Sequence, residues 1–221
     1  MPDLPDRPLP GRQREARSND SAVLAAAREV FSTQGPGASI AAVARQAGVG
    51  VGSIYRRYPT KDALVEALHV HAVREAAQLA SDIADEAETG EAETNEAGGA
   101  VAAFLARQIT GATGPLLRPP GAGGPLPPQL AAASDDLHAG LERLVARDRA
   151  AGVLPAGFTA ADVMQLLTHL RPPLPFPRAE ADALHLRYLA LVMRGLREHA
   201  RTDASLADGP RWEEWVGAWH V

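Results

Sequence analysis

The segment from Ser39 to Leu64, SIAAVARQAGVGVGSIYRRYPTKDAL, constrains this chain more than any other. Ser39 is a favoured N-cap residue. Ile40, Val43, Ala44 and Ala47 then recur at i, i+3, i+4 and i+7, the stripe of a short amphipathic helix. Gly48 ends that helix, and Gly50 and Gly52 permit a tight turn. Ile54 and Tyr58 supply the apolar contacts of a second short helix, which carries Ser53, Tyr55, Arg56 and Arg57 and is closed by Pro59. Thr60 caps the next helix, and Asp62 sits in its first turn, where the helix dipole favours an acid. Two short helices across a glycine-marked turn are the layout of a helix-turn-helix, whose second helix enters the DNA major groove.

The rest of the composition agrees with an all-α protein. Of 221 residues, 46% are hydrophobic but only 5% aromatic, and a core built on Ala and Leu suits helix packing on helix. The absence of cysteine excludes disulfides, thiolate metal sites and cysteine nucleophiles, and fits a reducing cytoplasm. No apolar run approaches the roughly 20 residues of a membrane span, and the N-terminus lacks the apolar core of a secretory signal. Neither a membrane nor a secreted location is expected.

The net charge of −5 conceals an asymmetry. Residues 1–61 hold nine basic side chains (Arg7, Arg12, Arg14, Arg17, Arg28, Arg45, Arg56, Arg57 and Lys61) against five acids (Asp3, Asp6, Glu15, Asp20 and Glu29). The remainder is acidic. A basic end on an acidic body matches a polyanion-binding end on a body that the polyanion does not attract.

Along the chain, residues 1–18 are rich in Pro, Arg and Asp without apolar period, which predicts a disordered arm. A first helix follows from Asn19–Ser21 through Val23, Ala27, Val30 and Phe31 to Gly35-Pro36-Gly37. The helix capped by Thr60 runs to about residue 88. Asp85–Glu96 reads as a frayed end and acidic loop. Further helices are expected over about 97–110, 129–151, 159–170 and 179–200, with a Gly/Pro loop at 111–128. The last of them runs through Leu184, Tyr188, Leu191, Val192 and Leu196 as its apolar side. Trp212 and Trp215 are helically spaced in the tail.

Residues 25–64 resemble the N-terminal domain of the tetracycline-repressor (TetR) family. The matching positions are Ala26-Ala27, Phe31 and Gly35, then Ser39, Ile40, Val43, Ala44 and Ala47-Gly48-Val49. They continue through Ser53-Ile54-Tyr55-Arg56-Arg57-Tyr58 to Lys61, Asp62 and Leu64. The departures are Gly50, where the family usually has Ser or Thr, Val51, where a polar or basic residue is frequent, and Arg57 in place of a frequent His. The resemblance implies an N-terminal three-helix helix-turn-helix domain over 19–64 and a C-terminal helical bundle over 65–221. That bundle would bind an effector and form a homodimer through the helices at 159–170 and 179–200. The implied function is that of a bacterial transcriptional regulator, a repressor released from a palindromic DNA operator by a small, largely apolar ligand. An alternative is a helical ligand sensor or adaptor that no longer reads DNA, which Gly50 and Val51 would favour.

By resemblance and by chemistry, Ser39, Tyr55 and Lys61 are candidate phosphate contacts. Val51, Gly52, Ser53, Arg56 and Arg57 belong to the recognition helix. An Arg there can grip guanine O6 and N7, and Val51 could touch only a thymine methyl. Within the body, Phe104, Ile109, Met164, Leu167, His169 and Tyr188 read as core and are the candidate lining of the implied effector pocket. Gly48-Val-Gly-Val-Gly-Ser is no dinucleotide loop: Ser53 occupies the third glycine's place, and no strand precedes it. The histidines have no metal-ligand spacing, and His69 and His71 point to different helix faces. No catalytic constellation and no cofactor are expected.

Overall fold

The computed structural model describes residues 10–35, 37–89, 98–111, 126–202 and 206–219. Among the described residues there are nine α-helices and no strand, the expected all-α class. The chain divides into two compact units, Met1–Leu68 and His69–Val221.

The first unit holds α1 (Pro10–Gln34), α2 (Ile40–Ala47), α3 (Val51–Arg57) and the start of α4 (Lys61–Thr89). Its interior is built from Ala27, Val30 and Phe31 of α1, Val43 and Ala44 of α2, Ile54 of α3 and Leu64 of α4, all buried. Every one of these positions belongs to an apolar stripe of the sequence. α1 begins at Pro10, earlier than the start at Asn19–Ser21 expected from the sequence. Gln13, Arg14, Glu15, Ala16 and Arg17 are good helix formers, and a proline in the first turn has no N–H to leave unbonded. The expectation for residues 1–9 lies outside the described residues.

The second unit packs the rest of α4 with α5 (Ala100–Gly111), α6 (Pro128–Ala150), α7 (Ala160–Leu170), α8 (Arg178–Arg201) and α9 (Trp212–Trp219). Its core centres on Ala80, Val101, Phe104, Leu105, Ile109, Leu141, Leu144, Val145, Val163, Leu189 and Met193. Gly140 lets α6 approach α4: a Cβ there would stand 2.9 Å from the Ala80 Cβ. Asp148 of α6 caps α5, accepting the backbone N–H groups of Ala100 and Val101 at 2.9 Å each. Beside it, Arg197 of α8 donates to the Gly98 carbonyl at 3.1 Å. Thr159 and Asp162 form a reciprocal capping box at the start of α7. Thr159 Oγ also donates to the Pro210 carbonyl at 3.1 Å, tying the approach to α9 against α7.

The acidic stretch begins in helix, as expected: α4 continues to Thr89. Asp85 there accepts from Arg143 at 2.7 Å and Glu86 from Arg107 at 3.0 Å, so these acids serve as inter-helix partners. One further expectation is corrected: Tyr188, read as core, is 53% exposed, because the inward face of α8 is His185, Leu189 and Met193; Leu191, near it on the outer side, is 52% exposed. Apolar residues cover a wide arc of this helix, and periodicity does not say which part of the arc meets the core.

Candidate nucleic-acid interface

The glycine-marked turn between α2 and α3 is made by local chemistry. Ser39 Oγ accepts the Ala42 N–H at 3.2 Å, which fixes where α2 begins. Gly48 closes α2 with φ of 68°, a left-handed conformation that L side chains rarely adopt. The chain then turns through Val49 and starts α3 at Val51, with extended Gly50 as its N-cap. No side chain caps α3, the structural consequence of glycine at that position. Ile54 is 2% exposed, and the Tyr58 N–H bonds back to the Ile54 carbonyl at 2.8 Å. One apolar anchor thus fixes which side of α3 faces inward.

The outward side carries the candidate residues. Val51, Gly52, Ser53, Tyr55, Arg56 and Arg57 are all exposed. Arg56 Nη2 donates to Ser53 Oγ at 3.3 Å. The Tyr55 ring is 48% exposed, so it is a surface group and not a core aromatic. Thr60 Oγ accepts the Ala63 N–H at 3.0 Å and caps α4. Lys61, in the first turn of α4, lies with its Nζ 5.5 Å from the centroid of the Phe31 ring, a cation–π distance. The ring face holds the ammonium at a helix start, where backbone N–H groups also favour anions. Ser39 itself is exposed at the other helix start.

The structure therefore brings Ser53 together with Arg56 and places every recognition-helix candidate on the surface of one unit. Sequence reasoning missed a tie that steadies α2: Gln46 Nε2 donates to Glu29 Oε2 of α1 at 2.7 Å. The residues are 17 apart, and no local pattern marks such a pair. Arg45, exposed in the last turn of α2, is a further cation of this unit.

In the body, Phe104, Ile109, Met164 and Leu167 belong to one buried cluster. His169 and Tyr188 do not join them. His169 is exposed, with its Nε2 2.8 Å from the Gln165 amide nitrogen, one turn earlier on the same helix. Tyr188 lies on the outer face of α8. Among the described residues no group of three or more His, Cys, Asp or Glu could hold a metal ion, and no helix is long and apolar enough to cross a membrane.

The chain is similar to known proteins. Residues 23–68 match the family described as “Bacterial regulatory proteins, tetR family”. A TetR transcription regulatory protein from Mycobacterium vanbaalenii is similar over 84% of this chain and 99% of its own, with 26% identity and a TM-score of 0.56. A TetR transcriptional regulator from Streptomyces coelicolor is similar over 80% of this chain and 98% of its own, with 28% identity and a TM-score of 0.55.

Proposed function

Since the chain belongs to the TetR family of transcriptional regulators, we propose that it is a cytoplasmic repressor whose homodimer leaves a palindromic operator when the body binds a small, largely apolar effector. The observation that carries the reading is the outward face of α3, where Ser53, Tyr55, Arg56 and Arg57 stand exposed behind a left-handed glycine turn. Ser39, Tyr55 and Lys61 contact phosphates and fix the position of the unit. Val51, Gly52, Ser53, Arg56 and Arg57 face the base edges and choose the sequence.

The second unit supplies the switch. Tyr188 and Leu191, one turn apart and about half exposed on α8, offer an apolar face that a second copy would bury. A two-fold dimer demands half-sites about one helical turn apart, or multiples of it. The effector enters the apolar interior around Phe104, Ile109, Met164 and Leu167, and releases DNA only if it binds the released state more tightly.

The test is binding to the DNA upstream of the protein's own gene, followed by fluorescence anisotropy across a salt series with random duplex as competitor. Binding that survives the competitor and falls steeply with salt supports the DNA reader, because phosphate contacts release counterions. Binding there no tighter than to random duplex, together with a random-sequence selection that enriches nothing, overturns it.

A further inference from the structure

We propose that α3 reads one thymine and one guanine in each operator half-site, the thymine methyl through Val51 and the guanine through an Arg56 that Ser53 positions. This rests on the DNA-reading function above and specifies what that function recognises. The buried Ile54 sets the orientation of α3. With that side inward, Val51 and Tyr55 stand one turn apart at i and i+4 on one edge, 38% and 48% exposed. Ser53 and Arg56 stand at i and i+3 on another edge, joined by the 3.3 Å hydrogen bond. The helix is therefore two-sided, with an apolar and aromatic edge and a cationic edge.

The relief of the helix sharpens both contacts. A Cβ added at Gly50 or Gly52 would meet nothing within 4 Å, so Val51 projects between two positions that carry no side chain. Base edges can come close to the backbone there, and a short branched side chain can reach them. Valine offers no donor and no acceptor. In the major groove the apolar group on a base edge is the thymine C5-methyl, so that is what an exposed valine on this face can distinguish. Guanine presents two acceptors, O6 and N7, which match the guanidinium fork. Ser53 restrains that fork before DNA arrives and reduces the side-chain freedom lost on binding. Ser53 is thus a positioning residue, and Arg56 is the contact.

The experiment starts from an operator selected out of random duplexes by the full-length protein. Each thymine is replaced in turn by deoxyuridine, which deletes only the methyl, and each guanine by 7-deazaguanine, which deletes only the N7 acceptor. One deoxyuridine position per half-site is expected to weaken wild-type binding about three- to fourfold. Val51→Ala is expected to bind the thymine and deoxyuridine operators equally. One 7-deazaguanine position is expected to cost the wild type at least about fivefold and to leave Arg56→Ala unaffected. Ser53→Ala should blunt that guanine preference, and Ser53→Thr, which keeps the hydroxyl, should retain it. A wild type indifferent to every deoxyuridine, or a Val51→Ala variant that keeps the full methyl response, overturns the thymine assignment. Undiminished guanine preference in Ser53→Ala overturns the positioning role, and in Arg56→Ala the guanine contact. A selection that enriches no sequence overturns the DNA-reading function itself and this inference with it.

Discussion

The Trp212 indole lies flat against the His138 imidazole, with ring centroids 4.7 Å apart and planes 3° from parallel. The indole N–H donates to Ser134 Oγ at 3.2 Å, in a setting where both residues are buried. One aromatic side chain therefore seals α9 onto α6 by stacking and by a satisfied polar atom. Trp212→Ala should lower stability by about 3–5 kcal/mol, the usual loss for emptying a buried aromatic site. Trp212→Phe should lose less, because it keeps most of the packing and leaves only Ser134 without its donor. Urea denaturation of the two variants, followed by far-ultraviolet circular dichroism, checks the order.

Asp148 predicts a pH dependence with a definite sign. Burial raises its pKa above the ordinary 3.8, against the opposing pull of the Val101 and Ala100 N–H groups and the nearby Arg147 and Arg197. A folded-state pKa above the unfolded value means that the folded protein holds the proton more tightly. The contribution of this proton is therefore fully present below the unfolded pKa and is lost as pH rises through the folded pKa. Asp148→Asn removes the titration and substitutes a donor for one of two acceptors that face backbone N–H groups. It should cost about 1–3 kcal/mol at neutral pH, and the gap from wild type should widen as the solution is made more acid. Urea midpoints for both proteins at neutral pH and near pH 4 decide this; a gap that narrows on acidification contradicts the sign.

The close approach at Gly140 gives a packing prediction. Gly140→Ala brings a methyl to 2.9 Å from the Ala80 methyl, on two helices that the rest of the core holds together. Overpacking of this kind costs about 1–3 kcal/mol. Ala80→Gly removes the opposing methyl, so the double variant should recover part of the loss. A double-mutant cycle by thermal or urea unfolding would show the two changes to be non-additive.

The outer face of α8 predicts the oligomeric state. A charge at Leu191, as in Leu191→Glu, would be buried unpaired between copies, and Tyr188→Glu would act in the same way. Both variants should fold like the wild type, because these side chains are about half exposed within the chain. Sedimentation velocity should show dimer for the wild type and monomer for the variants. Operator affinity should fall with dimer loss.

Lys61 predicts a split between affinity and specificity. Lys61→Ala should weaken binding to every duplex alike and reduce the salt slope by about 1, whereas Arg56→Ala should mainly relax sequence choice. The lysine variant should also lose about 0.5–1 kcal/mol of stability with its place over Phe31. Salt titrations against operator and random duplex separate the two effects, and thermal unfolding measures the third.

The order of the helices from Val23 onward and the position of the recognition turn follow from local sequence. Ser39, Gly48, Thr60 and Thr159 act on backbone groups within a few residues of themselves, so their effects are legible wherever they occur. The stripe of Ile40, Val43 and Ala44 is local for the same reason, since helix period alone gathers it on one side. Which of several possible faces meets a neighbour depends instead on the packing of the whole fold. Tyr188 and Leu191 fit the apolar period of α8 as well as Leu189 and Met193 do, yet only the latter pair is turned to the core. Asp148 reaches Ala100 across 48 positions of chain, and Asp85 and Glu86, at the expected end of α4, pair with Arg143 and Arg107 of other helices. Such contacts depend on how whole helices pack, and packing responds to the summed shape and charge of every face at once.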